Sequence, residues 1–278
     1  MARRPRPAGE VVVARIPGYD EFEMDVMRVL KEQLPMFFDG VESAPLTREH
    51  VMAIPERAKG AYLLLHQGHP VYAGKTDARH GFRDRLERHS NTIQHRIGLE
   101  PADMTFKAVR VMVFSTFDVE AILIDEMRAR GERQLTWNDS GFGSNDPGHN
   151  RERQEPADFD RMHPVDVDRE LDVVPPGDYS AHQVLLLLKE RLPYLIRFET
   201  DLVPGQNGRM RPAAANVGHF EQRESRLTVP TGPITTRQAM SAIVAALPAD
   251  QWQATIFPDR VILYRERVDY DFALSVIR

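Results

Sequence analysis

The chain has 278 residues, of which 42% are hydrophobic and 28% charged, and its formal net charge is −5 at pH 7. This composition is typical of globular proteins and excludes disordered and collagen-like classes. The absence of cysteine excludes disulfide scaffolds, zinc fingers, thiol catalysis and iron–sulfur clusters. No apolar run reaches the roughly 18–20 residues that cross a bilayer, and the basic start lacks the apolar segment of a signal peptide. We therefore expect a cytoplasmic protein without a membrane segment.

Positive charge is concentrated in one part of this acidic chain. Between residues 57 and 100, eight basic residues outnumber four acidic ones, which gives a local net charge of +4. Five of the 10 histidines fall in the same window. This local excess predicts a focused site for an anion.

The hydrophobic pattern of the first half predicts helices around a small antiparallel sheet. The alternation of strand-like and helix-like segments requires a mixed α+β unit. In chain order we predict a basic flexible arm (1–15), a helix (20–34) that Pro35 ends, strands (61–65 and 70–73) joined by a turn, a loop from Gly74, a helix (80–97) with Ile97 toward the core, a strand (105–114) and a helix (117–129).

The second half is predicted to form a smaller α+β domain. A long segment rich in Gly, Asn, Asp and Pro (136–164) reads as an ordered loop, and an acidic segment (165–180) reads as a linker. We place the domain boundary near residue 172, so that the two domains span 16–172 and 173–278. The elements predicted beyond the linker are a helix (181–197), a polar loop (201–220), a strand (227–229), a helix (235–247) and a hairpin (252–257 and 260–264).

Short motifs in the first half follow one another in a defined order. They are Gly60-Ala61-Tyr62, Tyr72-Ala73-Gly74, the pair Arg85 and His89, Glu120-Ala121-Ile122-Leu123-Ile124, Trp137-Asn138, Gly141-Phe142-Gly143, Asp146-Pro147-Gly148 and His163-Pro164. Together they resemble the GIY-YIG nuclease superfamily, and more closely its type II restriction endonucleases. The resemblance covers about residues 20–165 and implies an α+β GIY-YIG fold. It does not extend to the C-terminal part.

The resemblance implies a catalytic set of six residues: Tyr62, Tyr72, Arg85, His89, Glu120 and Asn138. Glu120 would hold one Mg²⁺ or Mn²⁺, since Mg²⁺ keeps several waters and accepts phosphate oxygens as ligands. Either Tyr62 or His89 would be the general base. Arg85 would stabilise the charge of the transition state.

Three of these residues, Glu120, Tyr62 and His89, also have a structural interpretation. Glu120 could stabilise the dipole of a helix from its first turn. Tyr62 could be an ordinary strand residue and His89 a surface histidine. Tyr72 and Asn138 would hydrogen-bond the phosphate or brace the Tyr62–His89 pair. Trp137 is expected to anchor the core beside Asn138 instead of stacking on a base.

We expect double-stranded DNA to be the substrate and main partner. The basic residues proposed to contact its backbone are Lys75, Arg79, Arg83 and Arg88, and the loop residues Arg209 and Arg211 are weaker candidates. A palindromic site would imply a homodimer, and a restriction enzyme implies a cognate DNA methyltransferase in the same system. The alternatives are a structure-specific, repair or modified-DNA nuclease, or a DNA-binding module without catalytic activity.

Overall fold

The computed structural model describes residues 26–77, 79–111, 119–131, 135–143, 151–205 and 207–278. The predicted arm, the start of the first helix and the motif Asp146-Pro147-Gly148 lie outside the described residues.

A four-stranded antiparallel sheet organises the first part of the chain. Its strands lie in the order β1–β4–β2–β3, with the bounds β1 (Ala44–Pro45), β2 (Gly60–His66), β3 (His69–Lys75) and β4 (Met104–Arg110). The helices that flank this sheet are α1 (Val26–Gly40), α2 (Arg48–Ala53), α3 (Phe82–Gln94) and α4 (Val119–Arg130). The structure thus confirms the mixed α+β class and the predicted hairpin.

The central strand β2 is buried on both faces, which explains its continuous apolar sequence. Because side chains alternate along a strand, Tyr62 and Leu64 pack with α3, whereas Leu63 and Leu65 pack against α1 and α4. This alternation directs Tyr62 toward the helix that carries the predicted Arg85 and His89.

Three predictions about the first part are wrong. The first helix continues through Pro35 to Gly40, because Leu34 and Phe38 are buried against the sheet. Their burial, about 1.5–3 kcal/mol each, offsets the roughly 3 kcal/mol cost of an internal proline. Gly74 belongs to β3 and does not begin a loop. Ile97 is 51% exposed, because α3 ends three residues before it.

A second mixed sheet and two longer helices form the C-terminal part. The sheet has the order β14 (Ser275–Ile277), β12 (Gln253–Ile256), β13 (Arg260–Tyr264), β7 (Leu195–Phe198), in which β13 and β7 are parallel. The helices of this part are α6 (Ala181–Arg191), α7 (Phe220–Glu224) and α8 (Thr236–Ala246), and the short helix α5 (Asp158–Met162) that precedes them packs through Phe159 in the core of the first part. The other strands are β5 (Glu170–Leu171), β6 (Gly177–Tyr179), β8 (Leu202–Pro204), β9 (Met210–Pro212), β10 (Leu227–Val229) and β11 (Ile234–Thr235).

Several predictions for this part need correction. Residues 165–180 are not a free linker, since they contribute β5, β6 and the buried Val165 and Val174. The predicted helix over 181–197 ends at Arg191, and the chain after Pro193 enters β7 because Ile196 and Phe198 face the core. The predicted loops contain the short helix α5 and the hairpin β8–β9, and the short helix α7 begins where the second loop ends. Short elements of this kind are held by tertiary contacts and have little local sequence signal.

The two parts are joined by hydrogen bonds as well as by the chain. The Val165 amide donates to the Pro258 carbonyl at 2.8 Å. The half-buried Arg96 donates through Nη1 to Asp160 at 2.8 Å and, more weakly, to the Pro258 carbonyl at 3.4 Å. The division into domains at residue 172 stays a prediction. Among the residues that the structure describes, no helix combines the length and hydrophobicity needed to cross a bilayer.

Candidate active site

Tyr62 and His89 form the centre of the candidate site. The Tyr62 hydroxyl lies 2.8 Å from Nε2 of His89, within hydrogen-bond distance. β2 supplies the tyrosine and α3 the histidine, and both side chains are buried. The surface-histidine interpretation of His89 is therefore wrong, because its ring packs among Tyr62, Tyr72 and Phe142.

Arg85 lies one helical turn before His89, on the same face of α3. Its Nε donates to the Tyr62 hydroxyl at 3.4 Å. The Tyr62 hydroxyl therefore contacts a hydrogen-bonding imidazole and a fixed positive charge. The structure thus brings together these three residues of the predicted catalytic set.

Tyr72 joins the cluster from the neighbouring strand. Tyr62 is paired with Gly74 across the hairpin and Leu64 with Tyr72, so both tyrosines point to the same face. Their ring centroids lie 6.3 Å apart, and the Tyr72 ring is 5.2 Å from that of His89.

Gly74 makes room for the two tyrosines. A Cβ at this position would lie 2.5 Å from the Tyr62 hydroxyl oxygen and 2.9 Å from Cε1 of Tyr72. Both distances are below ordinary van der Waals contact, so any side chain would displace the rings. The last glycine of the second tripeptide thus has a direct steric function.

Phe142 covers the other side of His89, a contact that the sequence did not predict. The two rings stack with centroids 5.0 Å apart and an interplanar angle of 22°. Phe142 also packs against Trp137 and Phe159, and Trp137 is buried as the predicted core anchor. The Gly-Phe-Gly motif was the available signal, because glycines on both sides of an aromatic residue allow a tight turn. Gly141 and Gly143 both have positive φ, at 103° and 76°.

Burial and charge shift the protonation equilibria of this cluster. Burial raises the pKa of the Tyr62 phenol well above its ordinary value of 10.0, and the neighbouring Tyr72 adds to the shift. Burial, together with the positive charges of Arg85 and Arg88, lowers the pKa of His89 to about 3. Near neutral pH, His89 is therefore neutral and Tyr62 is protonated. A neutral imidazole can accept the phenolic proton if Nε2 carries no hydrogen.

Glu120 lies in the first turn of α4, at the edge of the cluster. Its Oε2 is 3.7 Å from Nζ of Lys75, and its side chain is 26% exposed. Its negative charge, after burial, contributes to a raised pKa of Tyr72. Glu120 is thus electrostatically coupled to Tyr62 and Tyr72.

Glu120 offers a divalent cation a partly exposed carboxylate at the edge of the cluster. In the described part of the chain, no three His, Asp or Glu side chains are grouped as ligands for a metal ion. A single carboxylate still suits Mg²⁺, which retains waters and takes substrate phosphate oxygens as ligands. The donor set therefore fits a hydrated ion shared with the substrate.

Asn138 contacts the main chain of β3 instead of the Tyr62–His89 pair. Its Oδ1 accepts from the Ala73 amide at 2.8 Å, and its Nδ2 donates to the Ala73 carbonyl at 2.9 Å. The side chain thus replaces a neighbouring strand along the edge of β3. Asn138 therefore fixes β3 at Ala73, the residue between Tyr72 and Gly74.

The predicted DNA-contacting residues have different environments. Arg79 and Arg88 are exposed, and Arg88 lines a cavity of about 570 Å³ beside α2 and α3. Lys75 pairs with Glu120. Arg83 is half-buried, and its Nε donates to the Ile54 carbonyl at 2.7 Å. Arg83 therefore braces the loop after α2, whereas Arg79 and Arg88 are presented to solvent.

Comparison with known proteins identifies the domain that holds this cluster. Residues 65–170 match the family model described as the Eco29kI GIY-YIG domain. The match includes Tyr72, Arg85, His89, Glu120 and Asn138, and begins three residues after Tyr62. A search of curated proteins finds no match. Over residues 65–170 the chain therefore carries a GIY-YIG domain of the restriction endonuclease type, the domain of a nuclease that acts on DNA.

Proposed function

We propose that the protein is a metal-dependent, site-specific endonuclease that hydrolyses phosphodiester bonds in double-stranded DNA. The observation that carries this proposal is the buried hydroxyl of Tyr62, 2.8 Å from His89 and 3.4 Å from Arg85. As a type II restriction enzyme, the protein would cut foreign DNA in the cytoplasm. It would act as a homodimer on a palindromic sequence, beside a cognate DNA methyltransferase.

Tyr62 cannot act as a preformed phenolate, because burial raises the pKa of its hydroxyl. Proton transfer from the attacking water to Tyr62 must therefore accompany transfer of the phenolic proton to Nε2 of His89. Arg85 stabilises the oxygen of Tyr62 while it carries partial negative charge. Tyr62 then contacts the water, and His89 accepts the proton.

In the enzyme without DNA, His89 is a weak base. Burial and the charges of Arg85 and Arg88 disfavour the imidazolium form of His89. A phosphate bound to the arginines would cancel their repulsion and favour proton transfer to His89. Substrate binding thus activates the base, which suppresses the chemistry until DNA is in place.

Access to Tyr62 requires a movement, since the tyrosine is 0% exposed. Arg85 contacts the hydroxyl directly and is itself partly exposed. A shift of the Arg85 side chain that brings its Nη donors onto a phosphate, with Nε still on the hydroxyl, would open the hydroxyl to water. Glu120 and phosphate oxygens would hold the divalent cation, which supplies Lewis-acid stabilisation of the phosphoryl charge.

Cleavage of plasmid and phage DNA with Mg²⁺ or Mn²⁺ tests the proposal, with an EDTA control and sequencing of the product ends. We expect discrete fragments that share an end sequence. Glu120→Gln should reduce the rate by at least about a hundredfold, with DNA binding changed less than about threefold. Asp125→Asn, an exposed acid on the same helix, is the matched control and should cleave normally.

Other outcomes would contradict parts of the proposal. Cleavage restricted to branched or modified DNA would replace site-specific restriction by a repair-type or modification-dependent activity. Salt-dependent binding to DNA without metal-dependent cleavage would indicate a DNA-binding module. Equal loss of activity in Glu120→Gln and Asp125→Asn would remove Glu120 from the metal site.

A further inference from the structure

The hairpin β8–β9 projects from the C-terminal part as a two-stranded antiparallel ribbon. Its cross-strand pairs are Leu202 with Pro212, Val203 with Arg211, and Pro204 with Met210. Leu202 and Met210 are 61% and 56% exposed. Beyond the pair of Pro204 and Met210, the Gly205 amide donates to the Arg209 carbonyl at 2.8 Å and closes the turn. The ribbon is therefore ordered but packs little against the core.

The base of the ribbon is held by a hydrogen-bond network. The Ala213 amide donates to the Asp201 carbonyl at 2.8 Å, and the Thr200 hydroxyl donates to the Ala213 carbonyl at 3.0 Å. The Asp201 carboxylate accepts from Arg223 at 2.9 Å and from the Phe220 amide at 3.0 Å. This network fixes the direction in which the ribbon projects and reduces the entropy lost when it binds a partner.

The ribbon is basic in a chain that is acidic overall. The sequence has 41 acidic residues, yet none falls between Leu202 and Phe220. Arg209 and Arg211 are both exposed. Among the described residues, no carboxylate forms an ion pair with either guanidinium. A duplex phosphate backbone is the partner that complements this charge.

We propose that the ribbon β8–β9 is a second DNA-contacting element, in which Arg209 and Arg211 bind phosphates of the duplex. A two-stranded ribbon fits the major groove, which is about 12 Å wide. The two arginines would position the ribbon on the backbone. This inference rests on the proposed function for its DNA substrate, but it assigns the contact to residues outside the matched GIY-YIG domain.

The salt dependence of binding to a random-sequence duplex tests the ribbon independently of cleavage. The double variant Arg209→Gln with Arg211→Gln should reduce the slope of log K against log salt concentration by about 2, since each phosphate contact contributes about 0.9. Arg209→Lys with Arg211→Lys should restore the slope. The double variant Arg28→Gln with Arg226→Gln removes the same charge from exposed positions elsewhere and should leave the slope unchanged.

The outcomes separate the ribbon from the catalytic proposal. If the wild type binds DNA and the glutamine variant shows the same slope, the ribbon proposal is wrong even when cleavage is intact. Equal slope changes in the two glutamine double variants would show that only the net charge matters, and they would also overturn the ribbon proposal. If sedimentation shows that the ribbon variant loses only self-association, the ribbon is a contact between copies. A wild type that binds no DNA at all would refute the ribbon and the endonuclease proposal together.

Discussion

Gly74→Ala tests whether catalysis depends on the exact placement of the two tyrosines. The added methyl would lie 2.5 Å from the Tyr62 hydroxyl oxygen and 2.6 Å from its Cζ. Ordinary contact needs at least about 3.4 Å, so the ring must move by roughly 0.9 Å. The substitution removes no functional group, and it therefore perturbs geometry alone.

The expected effect on activity exceeds the expected effect on stability. Overpacking a well-packed core costs about 1–3 kcal/mol, which a domain of ordinary stability tolerates. A displacement near 1 Å at a reacting group can reduce the rate by about a hundredfold. The shift also perturbs the 2.8 Å hydrogen bond between Tyr62 and His89. We therefore predict a folded protein with about 1% of the wild-type cleavage rate, a loss of about 2.7 kcal/mol in transition-state stabilisation.

Single-turnover cleavage of a labelled duplex, with enzyme in excess, measures this loss. Denaturant unfolding of the same samples measures the accompanying change in the free energy of unfolding. Gly40→Ala is the matched control, because a Cβ at Gly40 has no atom within 4 Å. The control should cleave at the wild-type rate and unfold at the same denaturant concentration or a higher one.

A Gly74→Ala protein that cleaves within about threefold of the wild type would refute this reasoning. It would show that Tyr62 is not positioned for catalysis by the cross-strand pair. A loss of cleavage that matches the loss of folded protein would also contradict it, since the effect would then be on folding alone.

Three further substitutions test the roles of individual side chains. Tyr62→Phe should reduce the single-turnover rate by about a hundredfold or more with little loss of stability, and unchanged turnover would remove the hydroxyl from the mechanism. Because the pKa of His89 falls from 6.5 unfolded to about 3 folded, the unfolded chain binds a proton that the folded protein rejects, and stability is lost as pH falls below 6.5. Between pH 7 and 5.5 the free energy of unfolding should fall by about 1 kcal/mol through His89. In His89→Gln that part of the fall should be absent, and a variant whose free energy of unfolding changes with pH as in the wild type would contradict a buried, neutral His89. Asn138→Ala leaves the buried Ala73 amide and carbonyl without partners and should cost about 2–4 kcal/mol; normal stability with lost cleavage would instead place Asn138 on the phosphate.

Much of the candidate site could be predicted from the sequence, because its residues occur at spacings that regular structure converts into proximity. Arg85 and His89 share a helix face through their four-residue separation. Tyr62 and Tyr72 share a sheet face because a β-bulge shifts the hairpin register by one residue between Leu64 and Leu65. Local periodicity was therefore sufficient for the helix pair but not for the two tyrosines.

The role of Asn138 shows where that reasoning stops. The motif identified the residue, but its partner is the main chain of Ala73, 65 positions earlier in the sequence. No local pattern encodes such a contact. The same applies to Phe142, whose stacking on His89 depends on how the loop folds back over α3.

The sequence by itself determined the α+β class, the hairpin, the order of the motifs and the identity of the polar groups, since these follow from periodicity and residue chemistry. Tertiary structure alone decided that α1 continues through Pro35, that residues 165–180 join a core, and that His89 is buried and neutral. The physical reason is the same in each case. Burial energies and dielectric environment come from neighbours distant in the chain, and they override local preference when the apolar area or the charge involved is large enough.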